Sequence, residues 1–326
     1  MLVNGLRLCI GCMHRLNDKG ECTYCNMQQD KYIPLPRWLI PGTVLANRYI
    51  LGKVIGEGGT GITYIAWDKI QEITVAIKEY CPYEIVIRDT IRGTDSNIYV
   101  YPESLKDEYM QRMEKFHDEA EVLSKFCHVN GIVSVRDFFY ENNTAYLVME
   151  YLRGINLKEH IETHGEIDGK RALNMMKPVI KGLAKIHKTG IIHRDICPDN
   201  FVFDGNGLTL IDFGTARLNN LQISRSITVM FKRGFSPEEQ YRKRGKQGAW
   251  TDIYMLCATI YYMITKKVPE EAVERLFDDK MDISSLEGVD LSMAEKKAII
   301  KGLSVKAQNR YPNIELFYED LYGETI

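Results

Sequence analysis

The chain has 326 residues, 45% hydrophobic, 26% charged and 10% aromatic, which is ordinary globular usage and excludes a disordered, collagen-like or coiled-coil chain. With 42 Lys and Arg against 44 Asp and Glu, the net charge of -2 supplies no overall field for nucleic acid or anionic lipid, so any such binding must be local. No apolar run approaches the roughly 20 residues that cross a bilayer, and the opening MLVNGLRLCIGC carries neither a charged leader nor a signal core; the expectation is a soluble, cytoplasmic protein without membrane partners.

The eight cysteines are unevenly placed. Cys9, Cys12, Cys22 and Cys25 lie close together, whereas Cys81, Cys127, Cys197 and Cys257 are scattered, which is not a disulfide framework. Two Cys-x2-Cys pairs separated by nine residues let two tight turns each offer two thiolates to one tetrahedral ion, and zinc fits. Residues 1–30 are too short and polar to bury a core, so metal binding would supply their folding energy. This segment resembles a zinc ribbon. The competing reading, a redox dithiol, leaves the second pair unexplained, and His14 reads as a surface residue rather than a fifth ligand. With only Arg7, His14, Arg15 and Lys19 as nearby cations a nucleic-acid face is thin, and a module docking a protein partner is favoured. Residues 31–43, with three prolines, read as a semi-rigid extended linker.

From Tyr49 to Lys78, β-rich runs alternate with turn signals, predicting a three-strand antiparallel meander. Leu105, Tyr109, Met113, Phe116, Ala120 and Leu123 recur at helical spacing and predict an amphipathic helix over 105–126. Two strand-like runs, IVSVRDFFY and TAYLVMEY, follow it. Beyond Gly154 the pattern turns helical: 171–189, ending at Gly190 and with Pro178 expected to kink or restart it, then 250–265, 292–303 and 312–322.

Between two predicted strands lies Gly56-Glu57-Gly58-Gly59-Thr60-Gly61, where glycines let backbone amides approach a triphosphate; on its own the loop is as well explained as a flexible hairpin. The strand Val75-Ala76-Ile77-Lys78 places a lysine among apolar neighbours, able to pair with phosphate oxygens if a carboxylate holds it, and Glu119 on the helix is the candidate. Singly, each reads better as a surface residue. His193-Arg194-Asp195-Ile196-Cys197-Pro198-Asp199-Asn200, followed by Leu210-Ile211-Asp212-Phe213-Gly214, decides between them. Phosphoryl transfer needs positioning, cations and a carboxylate to accept the hydroxyl proton. Asp195 suits that base, and Asn200 and Asp212 suit oxygen ligation of Mg2+.

With these signals in this order, the chain resembles the bacterial eukaryotic-type Ser/Thr protein kinases over residues 44–323. The resemblance implies an α+β, two-lobed protein-kinase fold: an antiparallel sheet plus one helix over about 44–149, then a mainly helical lobe over about 153–323, with the zinc ribbon at the N-terminus. It implies ATP with Mg2+ or Mn2+ between the lobes, the Gly56–Gly61 loop over the phosphates and a Lys78–Glu119 ion pair. Glu150 to Leu152 would be the hinge to adenine, with Met149 the gatekeeper and Ala76 packing on the ring. Asp252 resembles the aspartate that supports the catalytic loop. Arg310 resembles the arginine pairing with the glutamate that ends the activation segment, which is Glu238 read literally and Glu239 by spacing.

The sequence departs from the family at several points. Where the family carries a lysine two residues after the catalytic aspartate stands Cys197, and Lys232, at a position usually threonine, is expected to bring the missing charge; the competing reading is a solvent-exposed lysine beside Arg233. Thr60 replaces a tip aromatic and Thr63 the valine that packs on adenine, so a looser loop and weaker ATP binding are expected. The stretch between Lys78 and Glu119 is long and reads best as loop elaboration. Thr215, Ser224, Ser226 and Thr228 are available for phosphorylation, none singled out. The function expected is protein Ser/Thr kinase activity with autophosphorylation. A nucleotide-binding pseudokinase scaffold, supported only by Cys197, and a small-molecule kinase are the alternatives.

Overall fold

The computed structural model describes residues 2–3, 6–88, 90, 95–213, 217–218, 231–242 and 244–326, and the chain forms two compact units, Met1–Cys127 with Ser134–Tyr151 and His128–Val133 with Leu152–Ile326. Gly214, Thr215, Ser224, Ser226 and Thr228 lie outside the described residues.

The first unit opens with β1 (Leu2–Val3) and β2 (Leu6–Arg7), which pair antiparallel. Beyond them Cys9, Leu16 and Cys22 form a small buried core, with Cys12 and Met27 against it. That core is small for some thirty residues whose ordering costs about 1–2 kcal/mol each, and Leu8, packed with Ile50 and Trp67, ties the segment to the sheet. The proline-containing segment is fastened to the rest of the unit. Leu39 is 1% exposed, its amide donates to Tyr64 Oη at 3.1 Å, and Thr90 donates from its amide to Pro36 O at 2.8 Å.

The strands β3 (Val44–Leu45), β4 (Tyr49–Gly58), β5 (Gly61–Asp68), β6 (Ile73–Tyr80), β9 (Val135–Glu141) and β10 (Thr144–Glu150) form one antiparallel sheet in the order β3-β4-β5-β6-β10-β9. The predicted meander is β4–β6. Strands β6 and β10 are buried from Val75 to Tyr80 and from Thr144 to Met149, so neither alternates between buried and exposed positions as a one-sided strand does. Strand β4 is buried at Tyr49–Gly52 and exposed from Ile55 onward, leaving the core toward the glycine loop. In the long stretch after β6, β7 (Val86–Ile87) pairs with β8 (Tyr99–Val100). Helix α1 (Lys106–Ser124) buries the predicted stripe of Tyr109, Met113, Phe116, Ala120 and Leu123, with Phe116 against Tyr80 and Phe138; Leu105 sits in the 3-10 turn before it.

The second unit contains β11 (Ile155–Asn156), α2 (Leu157–His164), α3 (Gly169–His187), β12 (Ile191–Ile192), β13 (Phe201–Phe203), β14 (Leu208–Leu210), β15 (Arg217–Leu218), α4 (Ala249–Thr265), the single turn α5 (Ala272–Arg275), α6 (Met293–Gly302) and α7 (Ile314–Tyr322). Asp168 caps α3 by accepting from the Arg171 amide at 2.9 Å, and Gly190, with φ +82°, closes it by donating to His187 O at 2.9 Å. Pro178 does not restart α3, which runs as one helix. Met175, Met176, Val179 and Ile180 are buried on either side of the proline, and that packing outweighs the lost backbone bond. Helix α4 is buried at every residue from Thr251 to Ile264, the mark of a core helix. Among the described residues no helix is long and apolar enough to cross a membrane.

Candidate functional site

In the first unit, β4 and β5 meet at a tight turn in which Gly58 faces Gly61. Gly56 to Thr60 are exposed and Gly61 is buried. The glycines answer different needs. A Cβ at Gly61 would lie 2.0 Å from the Glu79 carbonyl oxygen, so the sheet itself requires glycine there; at Gly56 the nearest atom is Thr63 Cβ at 4.0 Å, and at Gly58 nothing lies within 4 Å. Those two positions leave open backbone for a ligand to approach. Glu57 is held by the preceding segment: Arg37 Nε donates to Oε1 at 2.5 Å and Trp38 Nε1 to Oε2 at 3.3 Å.

Cross-strand register puts Thr63, Lys78 and Leu147 in one row, and Ile65, Ala76 and Met149 in the next. Because partners share a face and residues two apart repeat it, Thr63, Ala76, Lys78 and Met149 lie on one side of the sheet. Lys78 is 8% exposed. Glu119 lies in α1, but its side chain falls outside the described residues. Glu150 is bound to Ser134, its amide donating to Ser134 O at 3.0 Å and its Oε1 accepting from the Ser134 amide at 2.8 Å. Leu152 is the first residue of the second unit after the chain leaves the first at Tyr151.

The opposite face of β6 carries a cluster that the sequence did not announce. Glu79 is fully buried and accepts from Arg88 at 2.5 and 2.7 Å, from Tyr64 Oη at 3.0 Å and from Tyr146 Oη at 2.7 Å. Burial opposes the Arg88 charge, yet the hydrogen bonds and charge of Glu79 outweigh it and raise the guanidinium above its ordinary value. In the sequence Glu79 is one more charge beside Lys78 at the end of a strand, and its arginine partner sits in the long stretch beyond β6.

In the second unit, Asp252 of α4 accepts from the amides of His193 at 2.7 Å and Arg194 at 2.8 Å, and its Oδ2 lies 2.7 Å from His187 Nε2. Burial works against this carboxylate, but those bonds hold it below the usual range. Arg194 has φ +71°, a left-handed backbone unusual for a residue with a side chain. Asp252 fixes its N–H, and Gln240 Nε2, which sequence reading missed, donates to its carbonyl at 2.8 Å. The strained residue directly precedes Asp195, and Asn200 Nδ2 donates to the Asp195 carbonyl at 2.7 Å. Asp212 is partly buried, and the next residue, Phe213, sets its ring 4.3 Å from that of His193.

Cys197 is fully buried, its Sγ 3.9 Å from both Asp195 Oδ1 and Asp199 Oδ2. Burial, helped by Asp195, pushes its thiol well above the ordinary value, so it stays neutral. Lys232 Nζ lies 3.7 Å from Asp199 Oδ2. Burial lowers this lysine, but the carboxylates of Asp199 and Asp195 help to raise it above its ordinary value, which keeps the ammonium charged beside the Asp195–Asn200 segment. Asp199 also meets Lys158 Nζ at 3.4 Å. Arg310 takes Glu239 in a two-pronged pair at 2.7 and 3.1 Å, both side chains buried, and Thr251 Oγ1 donates to the same carboxylate at 2.9 Å. The spacing argument for Glu239 over Glu238 therefore holds; Glu238 pairs with Arg242.

In the ribbon, Cys9, Cys12, Cys22 and Cys25 place their Sγ atoms within 4.8 Å of one another, with separations of 3.6 Å for Cys9–Cys25, 3.4 Å for Cys12–Cys22 and 3.6 Å for Cys22–Cys25. Four thiolates about 2.3 Å from a tetrahedral zinc stand roughly 3.8 Å apart, so the set fits that ion. His14 is not in it: its Nδ1 lies 3.1 Å from Cys12 O and its ring stacks on Tyr24.

Comparison with known proteins gives a consistent result. The family described as protein kinase domain matches residues 49–309. A probable serine/threonine-protein kinase of Clostridium acetobutylicum, CA_C1728, is 31% identical over 86% of this chain and 40% of its own length. Serine/threonine-protein kinase PrkC of Bacillus subtilis is 32% identical over 71% of this chain and 32% of its own. The chain thus spans less than half the length of these two relatives. The solved structure titled PpkA-294 apo form aligns with a TM-score of 0.75 and 31% identity, over 87% of this chain and 99% of that one.

Proposed function

The chain belongs to the protein kinase family, and we propose that it transfers the γ-phosphoryl group of ATP to Ser or Thr hydroxyls of proteins, itself included. The observation that carries this reading is the fixing of the Asp195 segment: its backbone is held by Asp252 and Gln240 through Arg194 and by Asn200 directly. A carboxylate on such a rigid support suits proton acceptance from an incoming hydroxyl, because positioning is most of what phosphoryl transfer needs.

In this reading Asp195 accepts the hydroxyl proton, and Asn200 and Asp212 hold Mg2+ or Mn2+, which neutralises phosphate charge when bound. Lys78, steadied by Glu119, pairs with phosphate oxygens, and Gly56 to Gly61 offer the loop amides. Thr63, Ala76, Met149, Glu150 and Leu152 take the adenine side. Lys232 supplies the cation that Cys197 cannot, which is why the pseudokinase alternative is not preferred. The buried Glu239–Arg310 pair argues against a small-molecule kinase. The four ribbon cysteines bind zinc, a protein partner docks there, and the protein works in the cytoplasm.

Mass spectrometry of the purified protein after incubation with MgATP tests the reading. The expected result is phosphate on Ser or Thr of the parent and none on the Asp212→Asn variant. Equal phosphate on both, or none on the parent even with a generic Ser/Thr substrate protein, would overturn it.

A further inference from the structure

Strand β4 does not reach the glycine loop by pairing with β5 alone. Their register breaks between Leu51 and Val54 and again between Val54 and Gly56. In that interval two β4 amides are taken by the N-terminal segment: Lys53 N donates to Ile10 O at 2.8 Å and Val54 N to Tyr32 Oη at 3.0 Å. The approach is close enough that a Cβ at Gly52 would lie 2.4 Å from Ile10 O. Farther along, Arg37 and Trp38 hold Glu57 within the loop itself. The rings of Tyr32 and Trp38 stack 6.5 Å apart, joining the two attachments. Arg37 is anchored in turn, since the buried Arg88 donates to its carbonyl at 3.0 and 2.5 Å.

We propose that Arg37 is a positioning residue for the nucleotide: it holds the glycine loop through Glu57 and neutralises a carboxylate that would otherwise set an uncompensated charge beside the phosphates. The N-terminal segment then belongs to the nucleotide-binding apparatus rather than being a spacer. This rests on the reading of Gly56 to Gly61 as the phosphate loop. An exposed ion pair changes an equilibrium by up to about fivefold. That sets the expected size, since Arg37 keeps a 46% exposed side chain.

The test measures binding of a non-hydrolysable ATP analogue with Mg2+ to the full chain, together with amide exchange of residues 55–61 without nucleotide. Arg37→Ala should weaken binding about three- to fivefold and speed loop exchange. Arg37→Lys should restore most of both, and adding Glu57→Gln to Arg37→Ala should bring affinity back within about twofold of the parent, because the unpaired charge is gone. If Arg37→Ala leaves affinity and exchange at parental values, or if lysine does no better than alanine, Arg37 does not hold the loop. A parent that binds no nucleotide sinks the phosphate-loop reading alone, since the exchange comparison still decides the role of Arg37.

Discussion

Residue by residue, the second unit shows how strain and charge are kept in place. A left-handed Arg194 costs about 1–3 kcal/mol unless its surroundings fix it, and Asp252 does so at its N–H and Gln240 at its carbonyl. Cys197 and Lys232 are the more consequential pair. A neutral thiol stands where the family carries a cation, and the ammonium beside Asp199 and Asp195 comes from Lys232. Removing a preorganised charge of this kind costs about 100- to 1000-fold in rate. Lys232→Ala should therefore lower kcat by that order with little change in KM for ATP, and the swap Cys197→Lys with Lys232→Thr should recover much of it, as steady-state kinetics would report. Full activity in Lys232→Ala beside an inactive Lys78→Ala would remove Lys232 from the mechanism. Cys197 was readable because a motif has fixed positions; the Glu79–Arg88 pair was not, since nothing local links a strand glutamate to an arginine in the stretch beyond it.

At the level of elements, periodicity carried far. The stripe of α1 and the ends of α3, α6 and α7 follow from spacing and caps, with Ser292 and Asn313 accepting from the Glu295 and Leu316 amides. Pro178 does not restart α3, because packing that local propensity cannot see carries the helix through it. Attachment of the proline segment was invisible for a related reason: its bonds to Tyr64, Val54 and Thr90 join residues far apart in sequence. The ribbon has a small core of its own, so if its four cysteines hold an ion its fold should depend on that ion. Metal analysis should find about one zinc per chain and close to none in a Cys12→Ser Cys22→Ser variant. Chelation should speed amide exchange at Lys53 and Val54, which the ribbon and the segment after it hold. A protein free of zinc with unchanged exchange there would refute the metal reading of the four cysteines.

For the whole molecule, the candidate residues are divided between two units. Lys78, the glycine loop and the adenine-side residues through Glu150 belong to the first, and Asp195, Asn200, Asp212 and Lys232 to the second. The order of the motifs separates these two sets along the chain, but it gives no hint that His128–Val133 joins the second unit before the chain returns to the first at Ser134. Residues that serve one reaction are non-additive: once either is gone, removing the other costs little more. The most direct measurement is the initial rate of label transfer from γ-labelled ATP with Mg2+ by the parent, Lys78→Met, Asp195→Asn and the double variant. The parent should transfer label, each single variant should lose about 1000-fold or more, and the double variant should be no slower than the worse single one. An inactive parent, or single losses that multiply in the double variant, would contradict the kinase reading.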